Sequence, residues 1–296
     1  MKKFLCGLLI LSLTLCFAVG CKRSAPGEKS QGELQLKGSD TMVNAEQKVA
    51  EEFMKVTPDV FVAITGGGSG VGIASLINGS CDVAATSREM KAEEIQSARK
   101  RGVEPNEIVV AYDGVAVIVN LKNPVEQLTI DDLRRIFTGE VKSWKEFGGK
   151  DLPIVLLSRE VSSGTHMYFK EEVIHEGKKD SIAEFSPKAL LLTSSQTIVE
   201  EVANNESAIG YFGMGYVSNR TKTIKVGKKT DECYFPDIDN VLSKKYPLSR
   251  PLYFYTNGEP KGIVRQFVDF ALSHQGQQQF AETGFVPLEA SLGKKD

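Results

Sequence analysis

The sequence predicts an α/β fold with mostly parallel sheets. Three observations carry that prediction. Apolar runs of strand length alternate with segments of helical period along the chain. Turn and cap signals such as Asn78-Gly79 and Asp113-Gly114 punctuate the alternation. The body from about Leu34 holds about 260 residues, which suits two α/β domains of ordinary size.

The elements follow in order. LQLKG (34–38) is a short strand. Ala45, Val49 and Phe53, with Ala50 and Met54, recur at helical spacing, so 43–56 is a helix. VFVAITG (60–66) is a strand running into glycines, and 71–78 is a helix stopped by Asn78-Gly79. CDVAAT (81–86) is a buried strand, and 91–101 a polar surface helix. IVVAY and GVAVIVN (108–120) read as two strands with Asp113-Gly114 between them. A capped helix covers 129–137, and PIVLLS (153–158) is a strand. Helices at 164–175 and 196–204, a strand AIGYF (208–212) and a strand PLYFYT (251–256) follow. Helices at 262–273 and 276–283 close the chain.

The first 33 residues stand apart. Lys2 and Lys3 precede an apolar run, 4–19, too short and wrongly flanked for a membrane span, so 1–20 reads as a signal peptide. Ala18-Val19-Gly20-Cys21 resembles a bacterial lipobox, in which Cys21 is lipidated and becomes the N-terminus; an ordinary cleaved signal is the alternative. Cys16, preceded by Leu15, is the poorer candidate. Polar residues 21–33 are a tether.

The formal charge is −2, and loss of Lys2 and Lys3 makes it −4. That balance gives no footprint for nucleic acid, so any anion must be caught by local donors. Three scattered His and no Cys/His cluster argue against a zinc site. Beyond the leader only Cys81 and Cys233 remain; a disulfide or a buried thiol at Cys81 are both open.

In doubly wound sheets ligands sit beyond the carboxyl ends of strands. Four strand ends here share one chemistry. LKGSDTM (36–42) puts Ser39, Asp40 and Thr41 before a helix, where an N-cap is the simpler role. ITGGGSGVG (64–72) brings glycines and Ser69 to a helix start, where N–H groups and a positive dipole end meet. It fits neither a dinucleotide fingerprint nor a P-loop. AATSREMK (84–91) offers Thr86, Ser87 and Arg88; Arg88 touches an anion or pairs with a nearby acid. SREVSSGTHMYF (158–169) sets Arg159 directly after a strand and Ser163-Gly164-Thr165 at the next helix start. Arg is a planar fork of donors matched to oxyanions. Together these groups suit a small tetrahedral anion held mainly by neutral donors.

GSDTM, GGGSGVGIASLINGSCDVAATSR, LTIDDLRRIFTGEVKSWKEFGG, RE-x-x-SGT, AIGYFGMGYV and FVDFALSHQGQQQF…GFVPL occur in that order. The set resembles the phosphate-binding proteins of high-affinity ABC phosphate importers (PstS-type), over nearly the whole body. The resemblance implies a two-lobed type II periplasmic-binding-protein fold with two crossover segments, near 112–114 and 253–256, and the ligand in the cleft between lobes. One lobe is then 34–112 plus 254–296 and the other 113–253. It implies phosphate held without metal or cofactor by a monomer that is not an enzyme. The partners implied are membrane permease subunits and, through the N-terminal lipid, a bacterial membrane; the location is extracytoplasmic. Carried over by position, Thr41 and Met42 supply main-chain N–H groups and Thr41 its hydroxyl; Ser69, Arg159, Ser163, Gly164 and Thr165 match the ligand motifs, and Ser87 is a further donor. Where some members carry a proton-accepting aspartate, this chain has Arg88. The acceptor of the phosphate proton then falls to Asp40, Glu160 or Asp113, with Asp40 first because it flanks Thr41, or to none.

Two rival functions are weighed. Ser163 with His166 as nucleophile and base is disfavoured, because a residue three positions along a helix rarely points back and no orienting acid is evident. Gly67-Gly68-Ser69-Gly70-Val71 fails the last glycine of a nucleophile elbow. Sulfate, molybdate or tungstate binding is the rival within the same class, and a sensor or scavenger without a transporter is the third. Trp144 is read as a packing residue.

Overall fold

A computed structural model describes residues 32–288. The expected signal peptide, Cys21 and nearly all of the tether lie outside these residues. Twelve strands are described: β1 Glu33–Gly38, β2 Phe61–Thr65, β3 Val83–Thr86, β4 Pro105–Val119, β5 Gln127–Thr129, β6 Val155–Arg159, β7 Leu190–Leu192, β8 Ala208–Gly213, β9 Lys222–Thr223, β10 Lys225–Gly227, β11 Cys233–Tyr234 and β12 Ser249–Asn257. The α-helices are α1 Val43–Val56, α2 Ser69–Ile77, α3 Ala92–Lys100, α4 Ile130–Phe137, α5 Gly164–Phe169, α6 Ser195–Asn204, α7 Ile238–Leu242, α8 Gly262–Leu272 and α9 His274–Glu282. None is long and apolar enough to cross a membrane.

The main sheet runs β2-β1-β3-β12-β4-β8-β6-β7, with β9 added on β4. Its two ends are parallel, β2-β1-β3 and β8-β6-β7. The middle is antiparallel, where β12 and β4 pair with each other and with their outer neighbours. This is the architecture of two α/β lobes joined through two strands. A small sheet, β11-β10-β5, lies apart from it.

The Asp113-Gly114 turn expected from the sequence does not form. β4 is one strand of 15 residues that pairs with β12 up to Gly114 and with β8 from Val115 onward. Gly114 is there for space: a Cβ would stand 3.0 Å from Val241 and 3.2 Å from Pro236. Asp113 is fully buried, held by an Arg the turn reading could not foresee. Helix α2 starts at Ser69, two residues before its apolar period begins, and β6 extends to include Arg159. The helix expected over 164–175 is α5 followed by a π-turn, Lys170–Ile174.

Packing explains the helical periods. Ala45, Val49, Ala50 and Phe53 of α1 are buried, and Phe53 meets Phe267 of α8 edge-on at 5.4 Å. Phe169 of α5 stacks on Tyr211 of β8. Trp144 is buried and donates Nε1–H to Ser207 O at 2.9 Å, a packing role. Cys81 and Cys233 are not joined to each other; Cys81 packs with Ile73, Leu76 and Ala84.

Candidate functional site

The four strand ends meet. β1 ends at Gly38, and Ser39 N–H goes to Ala85 O on β3, which pins the start of the Asp40–Met42 turn beside Thr86-Ser87. Ser39 Oγ donates to Ser87 Oγ at 3.0 Å. Ser69 Oγ accepts Ser87 N–H at 3.0 Å and lies 3.3 Å from Ser87 Oγ. The other half of the chain brings α5. Thr165 Oγ1 and Thr41 Oγ1 are 2.8 Å apart. A Cβ on Gly164 would stand 2.3 Å from Ser69 Oγ and 2.6 Å from Ser87 Oγ. Ser39, Thr41, Ser69, Ser87, Ser163, Gly164 and Thr165 are all buried. The result is a compact, buried cluster of hydroxyls at the starts of α1, α2 and α5.

Backbone geometry lets the glycine-rich turn come this close. Gly68 has φ 101°, in the left-handed region open to glycine, and a Cβ there would meet Ser162 O at 2.7 Å. Gly70 N–H donates to Ser162 O at 2.9 Å. Ser163 is the N-cap of α5 and accepts His166 N–H at 3.4 Å. The N–H groups of Gly164 and Thr165, in the first turn, have no intrahelical acceptor and suit an anion. Met42 N–H, in contrast, is donated to Ser39 O at 3.1 Å.

The charged groups lie just behind the hydroxyls. Arg159 is buried; Nη1 reaches Ser195 Oγ at 2.8 Å and Asp40 Oδ2 at 3.1 Å, and Nη2 reaches Thr193 O at 2.8 Å. Burial pulls its pKa down while Asp40 opposes that pull. Asp40 Oδ2 also accepts Ser195 N–H and Oγ–H, at 2.9 and 3.0 Å. Most of Arg159's donors are therefore spent on the strand end and α6. Arg88 takes the second of its two foreseen roles: it grips Glu94 with two hydrogen bonds, at 2.7 and 2.8 Å. Burial pushes Glu94 up, but the Arg88 hydrogen bonds and the Lys91 N–H outweigh it and hold the carboxyl low. Glu160 accepts from Ser162 Oγ at 3.0 Å, and Asp113 is tied to Arg250.

Two residues were not singled out from the sequence. Ser39 read only as part of a cap. Arg250 is buried, bonded to Asp113 Oδ2 through Nε at 3.0 Å and Nη2 at 2.7 Å, to Thr165 Oγ1 at 2.9 Å and to Ser87 O at 2.9 Å. Its signal was a lone Arg beside Pro251 at the head of an apolar strand.

The Ser163–His166 pair is not a nucleophile and base. Ser163 Oγ faces the His166 backbone N–H, while the ring reaches Ser158 Oγ at 3.1 Å and stacks on Phe185. Burial, then Lys170, lowers His166 to about 4.

A model of the PBP superfamily domain matches residues 23–275. The phosphate-binding protein PstS of Pseudomonas aeruginosa is 33% identical over 282 residues, 89% of this chain and 85% of that protein. PstS of Bacillus subtilis is 32% identical over 270 residues, covering 90% and 84%. Among solved structures, a Clostridium perfringens protein with bound phosphate, provisionally assigned as a phosphate ABC transporter substrate-binding protein, has a TM-score of 0.78 at 32% identity, covering 87% of this chain and 100% of that one. An ABC-type phosphate transport receptor from Vibrio cholerae has a TM-score of 0.68 at 30% identity, covering 86% and 99%.

Proposed function

The chain belongs to the PstS phosphate-binding-protein family of the PBP superfamily, and on that premise we propose that it binds inorganic phosphate between its lobes and delivers it to the membrane subunits of an ABC importer. One observation carries this reading: hydroxyls from four strand ends, at the starts of three helices, converge on one buried spot. Hydroxyls and first-turn N–H groups are donors matched to phosphate oxygens, and the Arg charges behind them are each paired with a carboxylate. The ligands are Thr41, Ser69, Ser87, Ser163, Gly164 and Thr165, with Ser39 added and Arg159 acting largely from behind. Asp40 is our assignment for the acceptor of the phosphate proton.

With lobes of 34–112 plus 254–288 among the described residues and 113–253, Thr41 and Thr165 meet from opposite sides and binding is coupled to closure. The protein acts as a binding protein rather than an enzyme. It is extracytoplasmic, with 1–20 removed and Cys21 lipidated as its membrane anchor; mass spectrometry of the N-terminal peptide tests that anchor.

Calorimetric titration of the anion-stripped protein with phosphate, sulfate and molybdate at pH 7 tests the function. Tight phosphate binding with little response to sulfate is expected. Comparable sulfate binding would move the assignment to another oxyanion. Silence toward all three would reduce the likeness to fold alone.

A further inference from the structure

We infer that Arg250 is a positioning residue of this site: by bonding Thr165 Oγ1 it orders the Thr165–Thr41 hydroxyl pair so that the pair's one spare hydrogen is left for the bound anion. The inference rests on the phosphate reading above and extends it to a residue outside the recognised motifs.

Arg250 and Asp113 stand directly opposite each other in the β12–β4 ladder, at the place where β4 exchanges β12 for β8. Both side chains are almost wholly buried. A guanidinium has five N–H donors and no acceptor. Nε–H and one Nη2–H go to Asp113 Oδ2, the second Nη2–H to Thr165 Oγ1, and an Nη1–H to Ser87 O. Asp113 is itself held from the far side, because its Oδ1 accepts Met214 N–H at 2.9 Å. The Arg250 face of Tyr168 closes the remaining side, with the ring centre 5.2 Å from the guanidinium carbon. Arg250 is thus fixed in place and nearly exhausted as a donor. It acts through its neighbours rather than by gripping the ligand.

The consequence follows from hydrogen counting. Thr165 Oγ1 spends a lone pair on Arg250, and the guanidinium charge turns the oxygen end of that hydroxyl toward itself. Its hydrogen points away. The next oxygen is Thr41 Oγ1, 2.8 Å off. Two hydroxyls that share one hydrogen bond leave one hydrogen over, and on our assignment it goes to the anion, beside the Ser69 and Ser87 hydroxyls that crowd Gly164, the neighbour of Thr165. Without Arg250 the same two hydroxyls are free to turn lone pairs toward the spot, which an anion would reject. The Nη1 bond to Ser87 O steadies the opposite wall in the same way.

A double-mutant cycle on the full chain tests this, read by phosphate titration. Arg250→Lys keeps a cation but loses the fork that reaches Asp113 and Thr165 together. It should weaken phosphate binding by about tenfold or more. Thr165→Val should weaken it comparably, and Thr165→Ser should restore most of the loss. The decisive expectation is coupling: in the Thr165→Val background, Arg250→Lys should cost little more. If Arg250→Lys does not fold, replacing the pair together, Asp113→Asn with Arg250→Gln, serves the same cycle without leaving a lone buried charge. Additive losses, or phosphate binding unchanged in the Arg250 variants, would overturn the assignment while leaving the phosphate reading intact. Failure of the unsubstituted chain to bind phosphate would overturn both.

Discussion

Glu46 sits in the first turn of α1, fully buried, and neither carboxyl oxygen has a hydrogen-bond partner. Burial first, and nearby Asp40 second, push its pKa well above the ordinary 4.5. An acid raised in this way binds more protons folded than unfolded. Its contribution to stability is whole below the ordinary value and is lost as pH climbs toward the raised one. Glu46→Met should therefore stabilise the protein by about 1–3 kcal/mol, the cost of an unsatisfied buried polar group. Melting curves should show a larger gain at pH 8 than at pH 5. His166 has the opposite sign. Its ring is held near pKa 4 against an ordinary 6.5. The unfolded chain takes up a proton that the folded one refuses, so stability present above pH 6.5 is lost as pH falls toward 4. His166→Phe keeps the stack on Phe185, and Ser158 Oγ keeps Tyr211 OH at 2.6 Å. Denaturant titrations across that window should show a flatter acid limb in this variant. Arg88→Met should lower stability through Glu94 and leave phosphate affinity unchanged, because the guanidinium is committed to that carboxylate.

Helix starts set the spacing of the site. α2 begins at Ser69 because Gly68 adopts a backbone that L side chains avoid, so the chain turns sharply from β2 into the helix. α5 begins at Gly164 under the Ser163 cap and meets the starts of α1 and α2 with almost no clearance. Gly164→Ala drives a methyl group into Ser69 Oγ and Ser87 Oγ. Overpacking of this kind costs about 1–3 kcal/mol, and here it falls where the start of α5 meets Ser69 and Ser87. Calorimetry should find phosphate affinity reduced at least about tenfold, since about 1.4 kcal/mol corresponds to a factor of ten. Retained affinity would show that the helix starts separate readily.

The two halves of the molecule are joined through β4 and β12, and the buried Asp113–Arg250 pair ties those strands together. Removing one partner of a buried pair leaves an uncompensated charge and costs about 3–5 kcal/mol. Asp113→Ala should lose that much in chemical denaturation, a far larger effect than at any exposed ion pair such as Arg99–Glu104. A ligand bound by the folded chain alone stabilises it: on the phosphate reading, phosphate at a hundred times its Kd should add about 2.7 kcal/mol. The ladder also explains why one signal in the sequence misled. Asp113-Gly114 has the composition of a turn, but it lies where a long strand passes from one half to the other.

Local order in the chain was enough for the α/β class and for helix α1 to the residue; Thr41, Ser69, Ser87, Ser163, Gly164 and Thr165 were grouped by motif, and the fold brings Thr41 to Thr165 and Gly164 to Ser69 and Ser87. Periodicity and capping depend on near neighbours, so they are legible from spacing alone. The short strands β5, β7, β9, β10 and β11 carried no period long enough to read. The roles of the charged residues were closed to the sequence for another reason. Whether Arg88 faces the site or Glu94, whether Arg159 spends its donors on Thr193 and Ser195, and whether Arg250 reaches Thr165 depend on which strand ends lie side by side. A buried guanidinium must satisfy its donors wherever acceptors stand. For Arg250 those acceptors come from residues 87, 113 and 165, a grouping created only when β3, β4 and α5 converge on β12.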